Sequence, residues 1–345
     1  MKNIPTLVLS VLVVSSIGLV LFMYSLRSWP VNLGTDSIYV INIPKGASLN
    51  KTLSILEKET DFNHRSILKT AKFLSRFRTR QVQQGEHSIP KNTSIGEIVE
   101  AITTPSEHIT DIFFPEGKTL FDYAIIIEDS FNIDAQDVID KASDRAFVRS
   151  LGIYETNTLE GYLFPNTYRF HSTAGLDEIL MTLVEKFFDE YDMYVKGRDN
   201  KTSLGSMKEI VTMASIIQGE AAHNSEMPTI SSLYHNRLKK GMRLEADPTV
   251  QYALAQKKQR KEKLYFKDYD IKHPYNTYNF KGLPPGPISN PGRDALIAAI
   301  SPTKTNYIYM VAHPLKRTHL FASTFDEHKK NIITRNRIRK SANGN

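Results

Sequence analysis

The strongest constraint on how this chain folds lies at its N-terminus, where the residues from Asn3 to Leu26 carry no charge and are mainly Val, Leu and Ile. An apolar stretch of this length can cross a bilayer as a helix. A cleaved signal peptide is the alternative, but the run is too long for one and no convincing small-x-small site precedes Arg27. The sequence therefore predicts a membrane-spanning helix over residues 5–26, with residues 1–4 in the cytoplasm and the rest of the chain outside it.

The composition bounds the size and the chemistry of the protein. With 345 residues, of which 41% are hydrophobic and 23% charged, the chain is long enough for two or three globular units. A formal net charge of +7 favours an anionic partner, which could be nucleic acid, an acidic membrane surface or a polymer that bears carboxylates. Because the sequence has no cysteine, disulfides, thiolate metal sites and a cysteine nucleophile are excluded.

A small module follows the predicted span and extends over residues 37–105. Its first strand, Ser37–Pro44, has an alternating pattern that places Tyr39, Ile41 and Ile43 on one apolar face. Two helices, a second strand and a third helix follow, at Leu49–Glu59, His64–Phe77, Gly85–Pro90 and Thr93–Ile102. The third helix opens with a capping signature over Thr93–Glu97.

A larger mixed region occupies residues 106–340. Helical patterns follow a turn at Pro115–Thr119 and recur at Asp144–Leu151, Leu176–Tyr194, Ser206–Ala222, Met227–Lys240 and Asp247–Gln256, and strand patterns lie at Thr110–Phe114, Asn306–Ala312 and Thr318–Ser323. Asn224 or Ser225 is expected to introduce the helix at Met227, and Thr324 to cap a basic C-terminal helix. The predicted class is α+β, with one N-terminal transmembrane helix, a small βααβ subdomain and a larger mixed α/β domain.

Glu220 stands out among the candidate functional residues because it closes an apolar helical stretch. At helical spacing, the residues three, four and seven positions before it are Ile217, Ile216 and Met213, so its carboxyl group shares a face with apolar side chains. Desolvation favours the protonated form of a carboxyl group and raises its pKa toward the range that general acid catalysis requires. An exposed or ion-paired Glu at a helix end is the alternative interpretation.

The next predicted helix carries an arginine on its apolar stripe. Arg237 lies on that stripe, with Asn236 beside it. A buried guanidinium requires an acceptor, either in a structural salt bridge or from a catalytic carboxylate or an anionic substrate. Glu245 and Asp247 are acids nearby in sequence, although Asp247 is most simply explained as the N-cap of its own helix.

Two further segments are dense in candidate residues. The first offers aromatic rings, amides and hydroxyls, a mixture suited to a sugar ring, through Tyr275, Asn276, Thr277 and Tyr278. A Pro- and Gly-rich loop from Gly282 to Gly292 follows it, and ordinary turn chemistry explains these residues equally well. The second segment, Leu159–Tyr168, contains Glu160, which is either another acid or a structural residue.

Other chemistries fail on spacing. Glu220 and His223 do not form an H-E-x-x-H zinc motif, and the sequence has neither a G-x-S-x-G elbow nor a Walker or dinucleotide glycine pattern. No basic-aromatic nucleic-acid module stands out, and an extracytoplasmic location argues against one. We therefore expect no metal, no cofactor and no nucleic-acid partner.

Six separated motifs occur in a fixed order along the chain. They are Leu159–Tyr168, Ala214–Glu220, Asn236–Leu238, Asp247–Thr249, Tyr275–Tyr278 and Gly282–Ile288. Together they resemble the motifs of the YceG-like endolytic murein transglycosylases over most of the chain. The resemblance implies that Glu220 is the catalytic acid, that the small module is LysM-like and that residues 106–340 form a YceG-like catalytic domain.

Substrate-binding roles are expected for the other residues singled out in these segments, namely Glu160, Asn236, Arg237, Glu245, Asp247, Thr249, Tyr275, Asn276, Thr277 and Tyr278. Two departures from the family pattern are visible. Gln218 stands where relatives often carry Glu, and Asn166 stands where Asp is common. Both argue against an essential ionised role at these two positions.

The resemblance implies a bacterial, single-pass inner-membrane enzyme that cleaves the MurNAc–GlcNAc bond of nascent peptidoglycan strands and leaves a 1,6-anhydro-MurNAc end. Its partners would be glycan strands, the lipid bilayer and peptidoglycan synthases. This chemistry needs a single carboxyl group, unlike that of ordinary two-carboxylate glycosidases. Two alternatives stay open: a hydrolysing muramidase that uses Glu245, Asp247 or Glu160 as second carboxylate, and a non-catalytic, membrane-anchored peptidoglycan-binding scaffold.

Overall fold

The computed structural model describes residues 24–25, 28, 30–33, 38–44, 46–60, 81–104, 109–171, 174–261 and 263–343. The predicted membrane span, apart from Tyr24 and Ser25, and the predicted helix His64–Phe77 lie outside these ranges. Within them, none of the helices combines the length and the apolar character that a bilayer crossing requires. The chain divides into two compact units, Met1–Asp111 with Arg169–Ala174, and Ile112–Tyr168 with Gly175–Asn345.

The first unit contains two antiparallel strand pairs among its described residues. Its elements are β1 (Pro30–Asn32), β2 (Ile38–Ile43), α1 (Leu49–Glu59), β3 (Gly85–Pro90), β4 (Asn92–Ser94) and α2 (Ile95–Thr103). β1 pairs with β4, and β2 pairs with β3 in a register that places Ile38 opposite Pro90. The strands β2 and β3 and the helix α1 agree closely with the sequence prediction, whereas β1 and β4 were not predicted.

The inward face of β2 contributes to the core of this unit. Tyr39, Ile41 and Ile43 are buried, as their alternation predicts, because successive side chains of a strand point to opposite faces. Buried residues of α1 and α2 complete the cluster, including Leu53, Leu56, Ile98, Val99 and Ile102. The LysM-like character of the module stays a prediction, since its second helix is outside the described residues.

Helix α2 begins at the capping box that the sequence predicts. The backbone N–H of Glu97 donates to Ser94 Oγ at 3.2 Å, and the backbone N–H of Ser94 donates to Glu97 Oε2 at 2.7 Å. Two of the backbone donors that every helix start leaves without helical partners are thereby satisfied.

The second unit is mainly helical. After β5 (Ile109–Phe113) come α3 (Leu120–Phe131), α4 (Ala135–Ala142), α5 (Arg145–Ser150), β6 (Thr167–His171), α6 (Leu176–Tyr191), α7 (Met207–Glu220), α8 (Met227–Lys239), α9 (Asp247–Gln256), α10 (Arg293–Ile300), β7 (Tyr309–Ala312), β8 (His319–Ala322) and α11 (Phe325–Asn343). β5 pairs with β6 and β7 with β8. The division of the chain into units falls within β5 and within β6. Helices with small two-stranded sheets confirm the α+β class.

Helix α7 is the central element of this unit. Every residue from Ile210 to Ile217 is buried, because the helix packs against α8, α9 and α10. A helix that is apolar all round is typical of such an internal position. Ser206 caps its N-terminus in a capping box with Glu209, so the start of the helix is fixed by sequence-local bonds.

Three details of the predicted elements were wrong. Neither Asn224 nor Ser225 caps α8, because these residues form a short 3-10 turn directly before it. Asp247 is the first residue of α9 rather than its N-cap; that position belongs to Ala246, which has no capping side chain. The sequence patterns also missed α4, α10 and the strand β6.

Candidate active site

Glu220 is the last residue of α7, at a point where α8 and α9 pack against this helix. A Cβ atom at Gly219 would lie 2.8 Å from Pro248 Cβ, so only glycine lets the end of α7 approach the first turn of α9 this closely. The backbone N–H of Asp247 is thereby brought close to the Glu220 carboxyl group, whose pKa it lowers. The carboxyl group therefore lies against the N-terminus of α9.

A tyrosine of α8 orients this carboxyl group. The Tyr234 hydroxyl donates to Glu220 Oε1 at 2.7 Å, and only 1% of the tyrosine surface is exposed. A buried donor of this kind fixes the carboxyl group in one orientation, because a hydroxyl without its partner would carry a desolvation cost. Glu220 itself is only half-buried, so it remains accessible from solvent.

The surroundings of Glu220 adjust its acidity. Burial raises the pKa of Glu220 to about 7, and the negative charge of Asp247 adds to that increase. Hydrogen bonds from the Tyr234 hydroxyl and from the backbone N–H of Asp247, together with the charge of Arg237, act in the opposite direction. A carboxyl group with this pKa can donate a proton and later accept one near neutral pH, which suits general acid–base work.

Arg237, also on α8, is buried and bonds mainly to backbone carbonyls. Nε donates to the Ile308 carbonyl at 2.7 Å, and Nη1 donates to the Leu244 carbonyl at 2.7 Å. Nη1 also forms a salt bridge of 3.0 Å with Glu245 Oε2. The sequence left a structural and a site role open for Arg237, and its geometry combines the two: it fixes the segment before α9 while its charge acts on Glu220.

Asp247 presents its carboxylate to two tyrosines. Tyr278 donates to Oδ1 at 2.6 Å, and Tyr269 donates to Oδ2 at 3.3 Å. The two rings are also in edge-on contact, with centroids 4.6 Å apart. The Glu220 site is therefore defined as Glu220, Tyr234, Arg237, Glu245, Asp247, Tyr269 and Tyr278.

Four other predicted site residues hold the backbone around this site. Thr249, Asn276 and Thr277 are almost fully buried, and Asn236 is half-buried. Asn236 donates to the carbonyls of Thr305 and Tyr307, and Asn276 donates to those of Tyr269 and Ile271. Thr277 Oγ1 accepts from the Ala246 N–H at 3.0 Å and lies 2.9 Å from Thr249 Oγ1. Their polar groups thereby fix the segments that carry Glu245, Asp247 and Tyr278.

Glu160 occupies a separate position that is buried from solvent. Its side chain is 3% exposed; Oε1 accepts from the Leu120 N–H at 3.0 Å, and Oε2 accepts from the Tyr252 hydroxyl at 3.3 Å. Burial raises the pKa of Glu160 to about 8. Tyr275 is half-buried and contacts the Tyr252 ring at 4.8 Å. The structure therefore places Glu160 and Tyr275 together around Tyr252, not among the groups that contact Glu220.

Both departures from the family pattern have a local explanation. Gln218 accepts from the Gly292 N–H at 3.0 Å, and its side chain lowers the pKa of the neighbouring, exposed Glu116. A glutamate at position 218 would place a second carboxyl group against Glu116, whereas an amide can supply a donor there. Asn166 is exposed, and its side chain accepts from the Thr167 N–H at 2.9 Å.

Sequence reasoning missed two residues of the Glu220 site. Tyr234 is apolar enough to pass for an ordinary member of the stripe of α8, although its spacing of three residues from Arg237 places both on one helix face. Tyr269 gave no comparable signal, since it reaches Asp247 from an irregular segment. Among the described residues no group of three or more His, Asp or Glu side chains could hold a metal ion.

The arrangement is that of a single accessible carboxylic acid with a raised pKa, oriented by a buried tyrosine and placed beside a second carboxylate. Residues 41–334 match the model of the YceG-like family. The chain belongs to this family.

The relatives extend the comparison to named proteins. The chain is 32% identical over 320 residues to the endolytic murein transglycosylase of Bacillus subtilis (strain 168), covering 87% of this chain and 86% of that protein. It is 24% identical over 332 residues to an endolytic murein transglycosylase of Streptococcus pneumoniae (strain R6), covering 88% of this chain but 59% of the pneumococcal protein. The crystal structure of a YceG-like protein from Listeria monocytogenes superposes with a TM-score of 0.55 at 31% identity, covering 86% of this chain and 99% of that one.

Proposed function

We propose that this protein is an endolytic murein transglycosylase that cuts the MurNAc–GlcNAc bond of peptidoglycan strands, with Glu220 as its catalytic acid. Membership of the YceG-like family and the similarity to the Bacillus subtilis enzyme support the activity. The observation that carries the assignment of Glu220 is the combination of partial exposure, a raised pKa and the hydrogen bond from Tyr234.

The first step is protonation of the leaving group. Neutral Glu220 gives its proton to the glycosidic oxygen while the bond between this oxygen and C1 of the muramic residue breaks. Positive charge develops on C1 and the ring oxygen, and Glu220 becomes a carboxylate. The Tyr234 hydroxyl and the backbone N–H of Asp247 then donate to a charged oxygen, which strengthens both bonds.

The second step closes a ring within the same sugar. The Glu220 carboxylate takes the proton from the 6-hydroxyl group, and O6 bonds to C1 to give the 1,6-anhydro end. Glu220 is again neutral, so the proton balance is complete and water is not consumed. A pKa near 7 allows one group to perform both steps at neutral pH.

The site also bears on the scaffold alternative. A scaffold predicts a Glu220 that is buried and ion-paired, whereas the partner of Glu220 is a tyrosine hydroxyl and the residue is half-buried. This favours an acid over a structural ion pair. A hydrolysing muramidase would instead require a second carboxylate to activate water, and its product would be heavier by one water.

The localisation is part of the proposal. Residues 5–26 anchor the chain in the bacterial cytoplasmic membrane, the LysM-like module contributes to glycan binding, and the catalytic unit faces nascent strands outside the cytoplasm, near peptidoglycan synthases. The uncharged sequence from Asn3 to Leu26 supports the anchor. Extraction of isolated membranes with alkaline carbonate tests it, because an anchored chain stays in the pellet and a peripheral one is released.

The decisive test of the activity compares wild type with Glu220→Gln on purified, uncrosslinked glycan strands. Wild type should yield internal cuts with 1,6-anhydro-MurNAc ends, as measured by mass spectrometry and product sizing. The variant should fold, because glutamine keeps the shape of the side chain and an acceptor for Tyr234, yet yield no such product. Near-normal product from the variant would remove Glu220 from the mechanism.

A further inference from the structure

The Glu220 site contains a second carboxylate that the proposed reaction does not use. Asp247 is held by two hydroxyl donors, Tyr278 at 2.6 Å and Tyr269 at 3.3 Å, one on each carboxylate oxygen. Burial and the charge of Asp247 raise the pKa of Tyr269 to about 12 and also raise that of Tyr278, so both hydroxyls keep their protons. Such donors stabilise a negative charge on the carboxylate and fix its position.

The backbone brings this carboxylate next to the acid. The close contact between Gly219 and Pro248 sets the first turn of α9 against the end of α7. The charge of Asp247 raises the pKa of Glu220, and the backbone N–H of Asp247 lowers it. Asp247 is exposed while its neighbour Ala246 is buried. One residue therefore places both a backbone N–H and an accessible negative charge next to Glu220.

The charged and titratable groups that act on Glu220 come from three elements. Helix α8 contributes Tyr234 and Arg237, α9 contributes Asp247, and the irregular segment after α9 contributes Tyr269 and Tyr278. Arg237 is positive and is already paired with Glu245. Asp247 is the negatively charged member of this group.

We propose that Asp247 is the fixed anionic partner of Glu220, a carboxylate that keeps the proton on Glu220 before cleavage and offsets the positive charge that develops on the sugar ring. The inference rests on the proposed transglycosylase function and deepens it. The reaction then depends on two carboxylates, of which Glu220 alone transfers a proton. Asp247 forms no bond to carbon and activates no water.

The hydrogen bonds from Tyr269 and Tyr278 distinguish this role of Asp247 from that of a hydrolytic base. A general base must turn an oxygen toward water and accept its proton. Both Asp247 oxygens instead accept from tyrosines, so both are held in place by protein donors. Fixed charge, by contrast, acts in the transition state without any reorganisation.

The test measures rate against pH for the full-length enzyme in detergent, with formation of 1,6-anhydro ends on uncrosslinked strands as the readout. Asp247→Asn removes the charge but keeps the size and acceptor oxygen of the side chain. Its rate should fall by about 100-fold, the typical loss for one electrostatic group. The pH above which the rate falls should also drop by roughly one unit, because Glu220 then releases its proton more easily.

Two further variants separate charge from structure. Asp247→Glu keeps the charge but displaces it, so its rate should fall while the high-pH limit stays within about 0.3 units of wild type. Asp270→Asn is the matched control, since Asp270 is an exposed aspartate in the same segment, next to Tyr269. It should leave both rate and pH limit unchanged.

The outcomes are distinguishable from a failure of the proposed function. If Glu220→Gln still forms anhydro ends, the function of Glu220 fails whatever Asp247 does. If Glu220→Gln is inactive but Asp247→Asn keeps the wild-type pH limit, the role of Asp247 as anionic partner is overturned. The same holds if Asp247→Asn and Asp247→Glu lose rate equally and neither changes the pH above which the rate falls. A product from wild type that has gained one water would show hydrolysis, and the transglycosylase function on which the role of Asp247 rests would fail.

Discussion

The regions around Glu220 and Glu160 contain two carboxylic acids with raised pKa values, about 7 and about 8. Glu160 is sealed, and both of its oxygens accept from structural donors of α3 and α9. Glu220 is half-buried and stands beside a negative charge and an arginine. The higher pKa therefore belongs to the less accessible group, and accessibility rather than acidity separates a candidate catalyst from a structural acid.

The largest expected difference between the two regions is in activity. Glu220→Gln should reduce the formation of anhydro ends by about 1000-fold or more, because loss of general acid–base catalysis costs up to about four orders of magnitude. Glu160→Gln should stay within roughly threefold of wild type, since its amide can retain the bond to Leu120. The rates of both variants are measured on one batch of glycan strands at about pH 6. Comparable losses of rate would show that accessibility does not separate the two acids.

A smaller effect is expected from the tyrosine that orients Glu220. Tyr234→Phe removes the bond to Oε1, so the rate should fall by about tenfold, the equivalent of one hydrogen bond to a charged group. That bond lowers the pKa of Glu220. Its removal should therefore move the high-pH limit of activity upward, opposite to the shift expected for Asp247→Asn. A pH–rate profile that is unchanged would show that Tyr234 only fills space.

The contact between α7 and α9 should show a further, weaker effect. Gly219→Ala places a Cβ atom 2.8 Å from Pro248 Cβ, so the helices must separate. We expect a loss of about 1–3 kcal/mol in unfolding free energy, as overpacking costs, and a several-fold loss of activity. Gly197→Ala is the control, because a Cβ there meets nothing within 4 Å and φ is −86°. Equal behaviour of both variants would argue against a close contact at Gly219.

The last expected effect concerns stability rather than rate. The pKa of Glu160 is higher in the folded protein than the ordinary value of 4.5. The unfolded chain therefore loses this proton first, and the stabilisation is complete below about pH 4.5 and is lost as pH rises through about 8. Thermal unfolding midpoints should fall from about pH 5 to 8 more steeply in wild type than in Glu160→Gln. Parallel curves would show that Glu160 does not titrate in this way.

Much of the helical framework could be predicted because local signals decide it. The capping boxes at Ser94 and Ser206 and the bounds of α1, β3 and α9 follow from side chains close in sequence. Helices α4 and α10 were missed. Both are only eight residues long, so each offers little more than two turns in which a helical pattern can show.

The sequence predicts the central acid of the site, Glu220, better than the residues that contact it. The apolar spacing before Glu220 correctly indicates desolvation of the carboxyl group. The hydrogen bond from Tyr234 depends on how α7 and α8 cross. The hydrogen bonds to Asp247 depend on where the irregular segment with Tyr269 and Tyr278 meets α9. Asp247 also shows how a familiar local signal misleads: Asp-Pro at a helix start suggests a cap, but here the side chain bonds to tyrosines instead.

The contact between Gly219 and Pro248 has a consequence for inheritance of the site. The motif that ends α7 and the motif that starts α9 are separate in sequence, yet each is fitted to the backbone of the other. An exchange that altered Gly219 or Pro248 alone would move the start of α9 relative to Glu220. The two motifs therefore form one unit of exchange, and chimeric enzymes should be joined outside residues 219–248.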